Sequence, residues 1–312
     1  MKVLIAALAC LAASASALAQ ELPPVADLPS RPMFRSTAAV VSLNVTVQDR
    51  SAKYVAGLQP ADFAVYEDGV KQEVRFFESS TVPLDLIVLI DTSSSMTDKI
   101  GLAQDAAAGF LGTLRDIDRG AVVSFSDTVS ILEPLTSNRA ALQRAVRSTV
   151  ARGKTALNTA LYVALRQFGQ RARSAEAVRR QAIVLLSDGA DTASPMSQDD
   201  VLRAARRSGV SVYTVSLQPA ERTLAARVES DESDRALQAL ARETGGASFF
   251  PRPDQLRSVY RAIATELANQ YSIGYVPSDE RLDSRFRRIV VQVLTGNALR
   301  SRTRLGYATD ER

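Results

Sequence analysis

Histidine and tryptophan are absent from the 312 residues, and cysteine occurs once, as Cys10. The missing imidazole removes the commonest general base and the commonest transition-metal ligand together, so Ser-His-Asp catalysis and zinc chemistry drop out. Cys10 lies in a segment expected to be cleaved, which leaves the mature chain without a thiol for disulfides or thiolate metal sites. Long apolar runs are missing too. Beyond the first twenty residues the longest are Leu84 to Ile90 and Ala182 to Leu186, far short of the roughly 20 residues a membrane helix needs, so no transmembrane segment is expected in the mature chain. Nor is there an excess of one charge. Lys and Arg number 38 against 34 Asp and Glu, a net of +4, and their interleaving implies no nucleic-acid partner. The densest basic stretch, Arg166 to Arg180, reads as the solvated face of a helix and the loop after it.

Lys2 precedes the apolar stretch Val3 to Ala13, and Ala17-Leu18-Ala19 offers small residues ahead of Gln20. This is the pattern of a secretory signal over residues 1–19, cleaved after Ala19. A lipoprotein would require cleavage before Cys10, for which Ala7-Leu8-Ala9 is a poor approach. The mature protein is therefore expected to be exported, to the periplasm or the cell exterior. Residues 20–35 contain four prolines and little periodicity, as an extended linker does.

Residues 36–80 read as a β segment. Val41, Leu43, Val45 and Val47 alternate with Ser42, Asn44, Thr46 and Gln48, and two further strands are expected over 63–66 and 74–77. Asp68-Gly69 between them suits a tight hairpin, whose turn needs residues that tolerate positive φ. From Leu84 the texture changes. Nearly continuous apolar strands, Leu84 to Ile90, Ala121 to Phe125, Ala182 to Leu186 and Val210 to Val215, alternate with helical patterns, and Val129 to Leu132 reads as a neighbouring edge strand. Helices are expected over 103–117, 156–168, 201–207, 236–244 and 252–270, with the acidic run Glu229 to Asp234 as a loop. The alternation predicts an α/β Rossmann-like domain over 81–270. Its central sheet is mainly parallel with one antiparallel edge strand, and helices cover both faces. Residues 271–312 return to strands, a candidate to form one β-sandwich with the N-terminal β segment because neither end has enough strands for a stable sheet alone.

In such sheets ligands bind in loops beyond the carboxyl ends of the strands, and three of these loops carry oxygen donors. They are Asp91-Thr92-Ser93-Ser94-Ser95, Thr155 in Gly153-Lys154-Thr155, and Asp188 in Leu186-Ser187-Asp188-Gly189. Taken singly, each is an ordinary helix cap or strand-end turn. Together they read as one divalent-cation site. Two carboxylates bring an ion to about neutrality and hydroxyls add donors without charge, so the ion still attracts an incoming Asp or Glu. Asp191 reads as a solvated loop carboxylate beside the site.

Asp-x-Ser-x-Ser after a buried strand, a later Thr before a helix and a later Asp after another strand resemble the von Willebrand factor type A domain and its metal-ion-dependent adhesion site. The resemblance covers about residues 84–270. It implies that Asp91, Ser93, Ser95, Thr155 and Asp188 hold Mg²⁺, or Mn²⁺ or Ca²⁺, and that a protein partner supplies a carboxylate to the open position. Asp62-Phe63-Ala64-Val65-Tyr66-Glu67-Asp68-Gly69 and Arg304-Leu305-Gly306-Tyr307 are similar to flanking segments of a bacterial subgroup of that family. The expected function is metal-dependent protein binding or adhesion without catalysis. A structural scaffold in an envelope assembly is the alternative. A hydrolase stands third, since a Ser95 and Lys99 pair can be drawn but no nucleophile elbow or phosphate loop accompanies it.

Overall fold

A computed structural model of the chain describes residues 40–79, 81–171, 179–217, 224–279, 285–296 and 299–308. The expected signal peptide and linker lie outside the described residues. In chain order the strands and helices are β1 (Val41–Gln48), β2 (Phe63–Glu67), β3 (Val70–Gln72), β4 (Val74–Ser79), β5 (Leu84–Asp91), α1 (Ile100–Leu111), β6 (Arg119–Phe125), β7 (Val129–Thr136), α2 (Arg139–Arg147) and α3 (Leu157–Arg171). They continue with β8 (Arg180–Ser187), α4 (Gln198–Ser208), β9 (Ser211–Ser216), α5 (Leu224–Thr244), β10 (Ser248–Phe249), α6 (Leu256–Ala268), β11 (Tyr271–Tyr275), β12 (Phe286–Val293), β13 (Arg300–Arg302) and β14 (Gly306–Ala308).

Six of the strands form a sheet in the order β10-β9-β8-β5-β6-β7. Every pairing in it is parallel except β6 with β7, the antiparallel edge. The near-continuous apolar character of β5 follows from its central place. Leu84, Leu86, Val88 and Ile90 pack with α1, α2 and α6, whereas Ile87 and Leu89 pack with α3, α4 and α5 on the opposite face. A strand covered on both sides has no solvent face on which to place polar residues. The exceptions are Asp91 at the strand's end and Asp85, which is buried and receives Arg119 Nη2 at 2.7 Å and Arg179 Nε at 2.7 Å.

The chain ends build two further four-stranded sheets, β13-β1-β11-β4 and β14-β12-β2-β3. Each mixes strands from before and after the α/β domain, and their inner faces share one core that includes Leu43, Val45, Val65, Tyr271, Ile273 and Ile289. Burial of these side chains, at about 1.5–3 kcal/mol each, rewards the pairing of segments more than 200 residues apart in sequence.

Several expectations are corrected. Asp68 and Gly69 do make a turn with positive φ, 48° and 85°, but the hairpin partner of β2 is β3, and β4 crosses to the other sheet to pair with β11. The acidic run Glu229 to Asp234 lies inside α5, because Ala, Arg and Glu around it are good helix formers. The first helix stops at Leu111, ahead of Gly112, and leaves Ile117 half exposed in a loop. The basic stretch is not all surface: Arg180 is buried, with Nε donating to Val82 O at 3.2 Å and Nη1 to Leu267 O at 2.5 Å. That burial pushes its guanidinium down to about 10.

Candidate metal centre

The carboxyl ends of β5 and β8 lie side by side, since Ile90 pairs with Leu186 and the strands are parallel. The next residue on each strand is therefore brought into contact. Ser187 Oγ donates to Asp91 Oδ2 at 2.6 Å. Asp91 is fully buried, and its other oxygen accepts the backbone N–H of Ser93 at 2.8 Å. Burial raises this carboxyl above the usual carboxylate range, against the lowering effect of the Ser187 and Ser93 bonds, and the nearby Asp188 charge adds to the rise.

The chain of contacts continues outward from Asp91. Ser93 Oγ and Ser95 Oγ lie 2.9 Å apart, and Ser95 Oγ donates to Asp188 Oδ1 at 2.6 Å. Asp188 Oδ2 takes the Lys99 ammonium, which also donates to the Ser95 carbonyl oxygen at 3.3 Å. Lys99 thus bonds the backbone of Ser95 and not its hydroxyl. With the Ser95 proton already given to Asp188, this is not the arrangement of a Ser–Lys nucleophile and base.

Thr155 is buried on the loop that opens α3. Two backbone bonds seat this loop against the first one: Ser94 N–H donates to Gly153 O at 3.0 Å and Arg152 N–H to Thr92 O at 2.6 Å. Gly153 has φ +81°, and a Cβ there would fall 2.1 Å from Asp127 Oδ2, so the close approach of this loop requires glycine. The carbonyl of Thr155 accepts from the N–H groups of Thr192 and Ala193 at 2.8 and 3.1 Å. Asp191 is not a solvated side chain. It accepts from the backbone N–H groups of Asn158, Ala193 and Ser194 at 2.7, 3.2 and 2.9 Å, and so ties the Asp188 loop to the start of α3.

Of the five residues singled out in the sequence, Ser93, Ser95 and Asp188 touch through side chains. Asp91 joins them through Ser93, whose backbone N–H it accepts, and Thr155 is held alongside by the backbone of its loop. The donors are oxygens only, which suits a hard cation. Among the described residues no group of three or more His, Cys, Asp or Glu is placed to hold a metal ion, so at this centre hydroxyls rather than a third carboxylate would have to complete the set. Sequence reasoning gave no role to Ser187, Asp127 or the Lys99–Asp188 pair. The hydroxyl directly before Asp188 at a strand end was the one available signal for Ser187; strand register supplied the rest.

The model of the von Willebrand factor type A domain matches residues 85–261, more than half of the chain. The chain belongs to this family. Its A-type domain carries the antiparallel edge and the two layers of helices described above. A UPF0353 protein of Mycolicibacterium paratuberculosis is 28% identical over 62% of this chain and 62% of its own length, so the match spans less than two thirds of that relative. A UPF0353 protein of Mycobacterium leprae is 26% identical over 76% of this chain and 73% of its own length. Among solved structures, a von Willebrand factor type A protein from Catenulispora acidiphila superposes with a TM-score of 0.50, covering 88% of this chain and 75% of the other at 15% identity. At that identity the likeness concerns the A-type fold. Among the described residues no helix is long and apolar enough to cross a membrane.

Proposed function

We propose that this chain is an exported, non-catalytic binding protein of the periplasm or cell exterior that engages a protein partner through a divalent cation. Asp91, Ser93, Ser95, Thr155 and Asp188 would hold Mg²⁺, with Mn²⁺ or Ca²⁺ as substitutes. Bound there, the ion would supply an electrophilic position for an Asp or Glu carboxylate of the partner. The observation that carries the reading is the state of Asp91. It is wholly buried, it receives only neutral donors, and its carboxyl is raised. A buried carboxylate with no cationic side chain beside it is costly, and a divalent ion at the strand ends would offset that cost. The absence of catalysis is supported by the placement of Lys99 on Asp188 and the Ser95 carbonyl.

The second reading, a scaffold within an envelope assembly, draws on the sandwich. Its two sheets clasp both ends of the A-type domain, which suits a module that transmits load. The two readings part on metal. Calorimetric titration of Mg²⁺ and Mn²⁺ into metal-stripped protein, beside an Asp91→Ala, Asp188→Ala double variant, is expected to show saturable binding lost in the variant. Equal heats from both proteins, or none from either, would leave the scaffold.

A further inference from the structure

One charge at the centre is unaccounted for by the five oxygen donors. Lys99 stands one residue ahead of α1, and its side chain is one-fifth exposed while that of Asp188 is fully covered. Its ammonium reaches across two loops to Asp188 Oδ2 and to the Ser95 carbonyl oxygen, so both of its acceptors belong to residues of the oxygen-donor set. The two carboxylates are therefore unequal. Asp188 has a hydroxyl on one oxygen and a cation on the other, whereas Asp91 has a hydroxyl and an amide N–H.

An ordinary surface ion pair would be worth about 0–1 kcal/mol and would affect nothing else. This one is different because its anion is a covered residue of the candidate centre. With Lys99 in place the two carboxylates and the ammonium sum to a formal charge of about −1, and a divalent cation changes that to about +1. A lysine carries a compact point charge on a flexible four-carbon stem with three rotatable donors, so its ammonium can leave Asp188 without any movement of α1.

We propose that Lys99 is a second anion-binding residue of this centre. It compensates Asp188 while no divalent cation is bound, releases that carboxylate to the cation, and then pairs with the carboxylate that the partner brings. The inference rests on the metal-dependent reading above and adds to it a residue outside the oxygen-donor set. It assigns opposite effects to one side chain: Lys99 weakens cation binding and strengthens carboxylate binding. A residue that only supported the loop would move both in the same direction.

The test is calorimetric titration of Mg²⁺ into the metal-stripped full chain, its Lys99→Met and Lys99→Gln variants, and Lys99→Arg, each in chloride and again with acetate as the carboxylate probe. Loss of the competing ammonium is expected to tighten Mg²⁺ binding in chloride by about tenfold in both neutral variants, equivalent to about 1.4 kcal/mol. Acetate is expected to tighten Mg²⁺ binding further in the wild-type chain and in Lys99→Arg, and to lose that effect in the neutral variants. Neutral variants that bind Mg²⁺ no more tightly than wild type, or that keep the full acetate effect, would overturn the proposal while leaving the metal centre standing. Absence of saturable Mg²⁺ binding in every protein would remove the centre itself and this role of Lys99 with it.

Discussion

Glu67 in the sandwich and Asp91 in the A-type domain are both shut off from solvent, yet their surroundings differ in kind. Glu67 accepts Arg287 Nη1 at 2.9 Å, Tyr275 Oη at 2.6 Å and Tyr307 Oη at 3.0 Å, so one guanidinium and two phenols compensate a single carboxylate. Those donors come from β11, β12 and β14, and the pair of charges pins three C-terminal strands around one N-terminal strand. Asp91 accepts from hydroxyl and amide donors, and among the described residues no Lys or Arg pairs with it. A saturated buried ion pair is a structural joint, because removing either partner strands the other in a medium that solvates it poorly. An under-compensated carboxylate beside loops that carry hydroxyl donors is suited instead to a ligand that brings positive charge.

That contrast can be broken or sharpened by substitution. Glu67→Leu should have the largest effect, a loss of about 3–5 kcal/mol from taking the carboxylate away from the buried Arg287 guanidinium and from the Tyr275 and Tyr307 hydroxyls, read from the urea midpoint of the metal-free protein. A loss below about 1 kcal/mol would show that the sandwich does not depend on this joint. Asp118 offers an intermediate case in the A-type domain. Burial alone would raise its carboxyl, but bonds from the Arg115 guanidinium at 2.8 and 2.9 Å and from the N–H of Leu84 at 2.9 Å outweigh burial and hold it below the usual carboxylate range. A carboxyl lowered in the folded state stabilises fully above its unfolded pKa and loses that contribution as pH falls through the folded one. Asp118→Asn should therefore cost about 1.5–3 kcal/mol at neutral pH and flatten the decline in stability at acid pH; an unchanged acid limb would count against the pairing.

Asp91→Asn should have the smallest effect on the metal-free protein, about 1 kcal/mol or less, with its thermal midpoint in chelator unchanged or raised. The same substitution should abolish stabilisation by Mg²⁺, which for a bound ion at a hundred times its Kd amounts to about 2.7 kcal/mol. A large loss of stability in chelator would place Asp91 with Glu67 among the structural joints and remove the distinction between the two centres.

The readable parts of the chain were those where local pattern and final environment coincide. The buried strands of the central sheet show as apolar runs because helices cover both their faces, and Asp91, Ser93, Ser95, Thr155 and Asp188 stand out because loops at the carboxyl ends of such strands are where donors converge. The hairpin was half readable. Asp68-Gly69 marks a turn of positive φ whatever follows, but whether β3 or β4 folds back on β2 depends on which strand the other sheet claims. Helix α5 was obscured by its acidic run, since a solvated charged segment looks alike in a loop and on a helix.

Side-chain partners across the fold were not legible at all. Ser187 reaches Asp91 because the β5–β8 register sets Ile90 against Leu186, and Asp191 braces α3 because two loops close on one another. Lys99 meets Asp188 across 89 positions of sequence. From its residues alone, this chain determined an α/β domain with oxygen donors at its strand ends, because hydrophobic periodicity and turn chemistry act over a few residues. Only the tertiary structure decided which carboxylate received an ammonium, which received hydroxyls and which was locked by arginine and tyrosine, because desolvation and hydrogen bonding depend on groups that folding alone brings together.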